Sequence, residues 1–348
     1  MVESQLLAEI YEQPLVVARI LEREWEKVRQ LGSAIRRRTP RAVVLVARGS
    51  SDNAAAYGRY LFEVRNRLLT SLAAPSTLTL YGAGPRLSDA VVVAVSQSGQ
   101  GEDVVAYLRE ARNQGALTIA VVNEASSPLA TSAELVLECL AGPEVSVPAT
   151  KTVTAQMTLL ALLSAVVSGE EGDNRSLENL PAGIDSALSL HGTASEFGKA
   201  LAPAAISSVI GRGFAYPVAL EVALKLKETS YTHAEPFSAA DFLHGPVALV
   251  DSDYAALLVD VGGYSTRPVL ETASTIASRG GKAFLLRAGE LTPIAGEPPA
   301  LELSVPLAEQ HAPIAAVVLG QLLAVELAAA RGLDPTHPRG LRKITSTR

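Results

Sequence analysis

The chain carries one order of elements twice, and that repetition limits what it can fold into. In the first half an apolar run, Ala42 to Ala47, ends in Arg48-Gly49-Ser50-Ser51 and leads into helix-forming sequence to about Arg65. In the second half Ala205 to Ile210 ends in Gly211-Arg212-Gly213 and leads into helix-forming sequence from Pro217 to Thr229. The next segments also correspond. Asp89 to Val95 is followed by a helical stretch and then by Gly115 to Val122; Asp253 to Val259 is followed by Arg267 to Arg279 and then by Gly281 to Leu286. Short apolar runs alternating with helices imply βαβ units. Each half should therefore hold a parallel sheet, with right-handed crossovers placing helices on both faces.

A chain of 348 residues is long enough for two such domains with full cores. The expected division is a helical segment over 1–30, a first domain over 31–168, a helical linker over 169–198, a second domain over 199–330 and a tail over 331–348. The leading helix would turn Ile10, Leu15, Val16, Ile20 and Leu21 inward, and the linker opens on the polar run Glu170-Glu171-Gly172-Asp173-Asn174. The formal net charge of −6 argues against a nucleic-acid partner, and Arg36-Arg37-Arg38 reads as a solvated helix end. The single cysteine, Cys139, excludes an intrachain disulfide and fits a reducing compartment. Met1 to Glu12 lacks the apolar core of a signal peptide. Pro313 to Ala330 is apolar but is interrupted by Gln321 and Glu326, so it reads as a buried helix and not a membrane span. A cytoplasmic protein with no membrane partner is the expectation.

The most informative loop follows Val91-Val92-Val93-Ala94-Val95. It reads Ser96-Gln97-Ser98-Gly99, and an amphipathic helix follows from Asp103 to Gln114. A loop at the carboxyl end of a parallel strand, opening a helix, is where α/β proteins hold phosphate. The second copy has Val261-Gly262-Gly263-Tyr264-Ser265 there. The first half is thus expected to hold the phosphate and the second to supply the chemistry.

In the second half Glu221, Lys225 and Glu228 fall four and three residues apart, on one face of a helix. A surface salt-bridge ladder has the same spacing. Here the flanking residues Val218 to Leu220, Val222 to Leu224 and Leu226 are apolar almost all round, which predicts burial and an acid–base role. His244, in Leu243-His244-Gly245-Pro246, sits at a turn that favours exposure into a cleft; a purely structural histidine is the plainer reading, and His233 is a lesser candidate. Gly211-Arg212-Gly213 begins like a dinucleotide fingerprint but has Tyr216 at the third glycine position, and no Walker A or zinc spacing occurs. No cofactor and no metal are expected.

Several segments together resemble the double sugar-isomerase (SIS) domain family. They are Ser96-Gln97-Ser98-Gly99, Val147-Pro148-Ala149-Thr150-Lys151, Ala219 to Glu228, His244-Gly245-Pro246, Ile10 to Pro14 and Pro338 to Lys343. The resemblance spans essentially the whole chain and is greatest to the isomerase part of glutamine:fructose-6-phosphate aminotransferases, with SIS-type glucosamine-6-phosphate deaminases sharing the architecture. It implies two tandem SIS domains, each a flavodoxin-like three-layer αβα sandwich. It also implies roles. Ser50, Ser51, Ser96, Gln97 and Ser98 would hold the sugar phosphate, with Val147 lining the site. Glu228 would move the proton between C1 and C2, His244 would open the sugar ring from the other subunit of a homodimer, Glu221 would orient the site, and Lys225 would sit near the sugar hydroxyls. Lys343 would form a Schiff base with a ketose carbonyl; without the resemblance it reads as part of a basic tail.

The sequence also departs from the family pattern. Gly101 replaces a phosphate-donating threonine, Ala149 replaces a serine, and Arg48 replaces a small residue before Gly49. Phosphate contacts are then either fewer or taken over by Arg48. The aminotransferases carry a glutaminase nucleophile, a cysteine next to the initiator Met, where this sequence has Val2. The resemblance therefore implies no glutaminase activity and a deaminase/isomerase that converts glucosamine 6-phosphate, or a close hexosamine phosphate, to fructose 6-phosphate and ammonia. The alternatives are an aldose–ketose phosphate isomerase, the isomerase subunit of a glutamine-dependent synthase, and a non-catalytic sugar-phosphate sensor.

Overall fold

The computed structural model describes residues 4–169, 172–291 and 298–343. Val2, the acidic pair Glu170 and Glu171, and the tail after Lys343 lie outside the described residues. The described chain forms two compact units. One comprises residues 15–144, 151–178 and 342–343, and the other residues 4–14, 145–150 and 179–341.

The first unit is built on strands β1 (Ala42–Val46), β2 (Leu69–Leu72), β3 (Ala90–Ser96), β4 (Leu117–Val122) and β5 (Leu135–Glu138). Their order is β2-β1-β3-β4-β5, and every pairing is parallel. β3 and β4 are buried through almost their whole length, which is why they read as unbroken apolar runs and not as alternating ones. The second unit repeats the plan with β6 (Ile206–Gly211), β7 (Glu235–Ser238), β8 (Ala255–Asp260), β9 (Lys282–Gly289) and β10 (Ala300–Ser304). Read from β7, its parallel order β7-β6-β8-β9-β10 matches the first sheet strand for strand.

Each unit has one long apolar helix. Lys151–Ser168 packs against Ser50–Val64 and Trp25–Arg38 in the first, and Ala312–Ala330 packs against Ala215–Ser230 and His191–Leu201 in the second. Both are long and apolar enough to cross a membrane, yet 89% of each apolar window is buried within the protein. Leu159, Leu160, Leu162 and Leu163 in one, and Val318, Leu319, Leu322 and Leu323 in the other, have no exposed surface. These are core helices that are apolar all round because they are covered all round.

The leading segment differs from the single helix expected. It forms three helices, Gln5–Tyr11, Gln13–Arg23 and Trp25–Arg38. The buried positions Leu6, Ile10, Gln13, Val17 and Ile20 follow one helical face across the break at Glu12. Ile10, Val16 and Ile20 point inward as expected, but Leu15 is 70% exposed.

Candidate active site

In the first sheet β1 and β3 are neighbours, and the chain leaves them in opposite directions, to β2 on one side and β4 on the other. Such a switch point opens a crevice at the carboxyl ends of the two strands. Arg48 to Ser51 follow β1, and Ser96 to Gly99 end and follow β3, so both predicted phosphate segments meet at this crevice. Helix Ser50–Val64 starts after Gly49, and helix Glu102–Asn113 starts after Gly101; neither start is capped by the side chain of its N-cap residue. Gly99 has a φ of +64°, and a Cβ there would lie 2.1 Å from Ser127 Oγ, so only glycine permits this turn. Within the loop Ser96 Oγ accepts from Gly99 N–H at 3.0 Å, which holds its shape.

A short distance along the same unit Gln97, Asn123, Glu124, Gly142, Pro143 and Glu144 line a cavity of about 430 Å³. Lys343 Nζ donates to Glu144 Oε2 at 2.7 Å, and the Glu144 side chain is fully buried. Glu144 also accepts from the Thr152 backbone N–H at 3.0 Å and from Thr152 Oγ1 at 2.9 Å. The tail lysine is therefore held on a fixed carboxylate that lines the same cavity as Gln97. Glu144 carried no signal in the sequence: it is one acid in a turn after Gly142-Pro143, and its partners lie eight and 199 residues away.

At the crevice rim Arg48 Nε donates to Asp103 Oδ2 at 2.8 Å, and its Nη2 lies 2.6 Å from the same oxygen. Asp103 is buried, whereas the Arg48 side chain is 49% exposed. Burial pushes the Asp52 carboxyl above its ordinary value, with Arg48 pulling the other way.

In the second unit the helix Ala215–Ser230 carries Glu221, Lys225 and Glu228 on one face, as the spacing predicts. Lys225 is 2% exposed. Its ammonium pairs with Glu228 Oε2 and lies 3.5 Å from Glu221 Oε1. The two carboxylates differ in access: the Glu221 side chain is 2% exposed and that of Glu228 19%. A buried lysine between one sealed and one more accessible carboxylate is a desolvated ion-pair cluster, not a solvated ladder. The Gly320 backbone approaches this helix so closely that a Cβ there would lie 2.3 Å from Val222 Cγ2.

His244 caps the short helix Ala239–Leu243 and is exposed. Among the described residues no hydrogen bond or ion pair joins it to Glu221, Lys225 or Glu228. Val147 lies half-buried in a segment held by the fully buried Glu9, whose carboxylate accepts from Val145 and Ser146 N–H at 2.5 and 3.3 Å. Cys139 is fully buried, and burial pushes its thiol well above the ordinary range. Among the described residues no three His, Cys, Asp or Glu side chains are grouped to ligate one metal ion.

The second sheet has the same switch point between β6 and β8, but it is filled from within. Glu309 accepts from the backbone N–H of Tyr264 at 3.0 Å and of Ser265 at 3.2 Å. Beneath it the fully buried Asp260 accepts from Arg287 Nε at 3.0 Å and from Thr266 Oγ1 at 2.7 Å. A carboxylate of the chain itself occupies the position that an anion would take.

A family model described as the SIS domain matches residues 38–166 and 206–331. The chain belongs to the SIS domain family. The two SIS matches cover both sheets and both long core helices. A glutamine–fructose-6-phosphate aminotransferase of Zymomonas mobilis is 33% identical over 96% of this chain, which spans 57% of that relative's length. Among solved structures, one from Silicibacter pomeroyi is 34% identical with a TM-score of 0.87, covering 95% of this chain and 99% of its own. The C-terminal domain of glucosamine-fructose-6-phosphate aminotransferase from Francisella tularensis is 26% identical with a TM-score of 0.85, covering 96% and 98%. The chain is thus a protein of two tandem SIS domains.

Proposed function

We propose that this chain interconverts an amino-aldose 6-phosphate with a ketose 6-phosphate and free ammonia, the pair being glucosamine 6-phosphate and fructose 6-phosphate. The observation that carries the reading is the buried Lys225 set between Glu221 and the more accessible Glu228. Moving a proton between two adjacent carbons needs a carboxylate that can reach substrate, and Glu228, ion-paired to a buried lysine yet still partly accessible, offers one.

In the proposed sequence His244, from the partner copy of a homodimer, opens the sugar ring. Glu228 takes the proton from C2 and returns it to C1, which turns the amino-aldehyde into a ketose imine. The Lys343 ammonium gives a proton to Glu144, and the resulting amine adds to C2 of the imine and expels ammonia. Water then hydrolyses the lysine Schiff base, releasing the ketose phosphate and restoring the amine. One water is consumed and one ammonia released. Ser50, Ser51, Ser96, Gln97 and Ser98 hold the phosphate, and Val147 borders the sugar.

In this reading the nitrogen partner is free ammonia; Cys139, sealed in the core, offers no thiolate. The 57% span of the aminotransferase relative favours a second reading, an isomerase part working with a glutaminase that supplies ammonia. Co-purification of a glutaminase with the chain tests that second reading, and Lys343→Ala separates a deaminase from a plain aldose–ketose isomerase. A deaminase loses ammonia release from glucosamine 6-phosphate by about two orders of magnitude or more, as expected when a covalent path is removed. Wild-type rates of ammonia release from this variant would overturn the Schiff-base route.

A further inference from the structure

The two segments that meet at the first switch point are poor in positive charge. Across 48–53 and 96–104 the charged residues are Arg48, Asp52, Glu102 and Asp103. The loop hydroxyls and backbone N–H groups can donate to a phosphate ester, yet three carboxylates stand in the same segments. A dianion brought there meets net repulsion unless a cation faces it.

Arg48 is built to be that cation. It follows β1 directly and adjoins Gly49-Ser50-Ser51. Asp103, 3% exposed, grips it from one side through Nε and Nη2. That contact uses one edge of the guanidinium. Among the described residues no acceptor bonds Nη1, and the nearby Asp52 carboxyl feels the Arg48 charge without a hydrogen bond to it. The side chain is 49% exposed. A guanidinium fixed by a buried carboxylate on one edge and open on the other is pre-organised for an oxyanion.

The pair sits where the second phosphate segment turns into a helix: Asp103 lies in the first turn of helix Glu102–Asn113, two residues after Gly101.

We propose that Arg48 is a phosphate ligand of this chain, positioned by Asp103, and that it sets the preference for a dianionic phosphate ester. The proposal rests on the phosphate-loop reading given under the proposed function. Asp103 acts as a positioning residue, because its carboxylate faces Arg48 and not the anion.

The test is calorimetric binding of inorganic phosphate to the full chain, beside KM and kcat for glucosamine 6-phosphate. Arg48→Met is expected to weaken phosphate binding and raise KM together by about ten- to a hundredfold, the range for a lost charge-assisted hydrogen bond, with kcat falling much less. Arg48→Lys keeps the charge but not the forked contact and should fall between the two. Asp103→Asn should weaken phosphate binding in the same direction by a smaller factor, although it leaves every loop hydroxyl in place. A merely structural tie would lower the melting temperature and leave phosphate affinity of the folded protein alone; that result in Arg48→Met or Arg48→Lys would overturn the proposal. Absence of phosphate and hexose-phosphate binding by the unaltered chain would overturn the functional reading itself, which separates the two failures.

Discussion

Glu309 and Ser265 meet where the second sheet would otherwise offer an anion site: the Ser265 backbone N–H donates to Glu309 Oε1 at 3.2 Å. The neighbouring Tyr264 N–H donates to the other carboxylate oxygen at 3.0 Å. The two halves share strand order, yet the corresponding loop of the first half is rimmed by Arg48 and hydroxyls, while that of the second is closed by a carboxylate. Duplication produced two crevices, and the chain itself fills one of them.

The closure has a measurable energy. A Cβ on Gly263, whose φ is +66°, would lie 2.1 Å from Glu309 Oε2. Gly263→Ala is therefore expected to destabilise the chain. Glu309→Ala is expected to cost about 0.5–2 kcal/mol, the range for a lost N-terminal cap. Combining the two should cost less than their sum, because removing the carboxylate removes the clash but not the backbone strain. Denaturant unfolding of the single and double variants checks this; strict additivity would contradict it.

Cys139 should be chemically silent. Burial raises its thiol, and the carboxylates of Glu144, Glu24 and Glu138 push in the same direction. Iodoacetamide at mildly alkaline pH is expected to leave the folded chain unmodified by mass and to label it fully in denaturant. Rapid labelling of the folded chain would contradict the sealed core around β5.

Asp52 gives a pH test with a definite sign. Burial raises its carboxyl above the ordinary 3.8, so the folded state holds that proton more tightly than the unfolded state. Its contribution to stability is then greatest on the acid side and declines as pH rises from 3.8 through the raised folded value. Asp52→Asn removes the decline. The variant's melting temperature relative to the parent should rise from acid to neutral pH; a relative fall would contradict the assignment.

Most of the fold was legible because buried parallel strands write themselves as apolar runs. Val91 to Val95 and Leu117 to Val122 are such runs, and both are strands. The edge strands Leu69–Leu72 and Glu235–Ser238 were not legible, since each is four residues long and partly exposed. Leu15 misled because it was read by its apolar type: on the face set by Leu6, Ile10, Gln13, Val17 and Ile20 it points the other way. At the site, the spacing of Glu221, Lys225 and Glu228 predicted their shared face, because a helix converts spacing into direction. Asp103, Glu144 and Glu309 escaped because their roles depend on partners 55, 199 and 44 residues away, which no local pattern encodes.

Glu228 carries the proton transfer in this account. Glu228→Gln keeps size and shape and should lower kcat by about 10²–10⁴-fold with little change in phosphate affinity, as for loss of a general base. Lys225→Met should also lower kcat, and it should destabilise the fold because it leaves Glu221 buried without its cation. A Glu228→Gln enzyme within about tenfold of the parent kcat would remove the carboxylate from the mechanism.

The most direct measurement is simultaneous assay of ammonia and ketose 6-phosphate when the purified full chain is given glucosamine 6-phosphate, then galactosamine 6-phosphate and mannosamine 6-phosphate. The account predicts that at least one hexosamine phosphate yields ammonia and ketose phosphate in equal amounts, without glutamine. Ketose formation from an aldose phosphate, with no ammonia from any hexosamine phosphate, would contradict it and leave an isomerase.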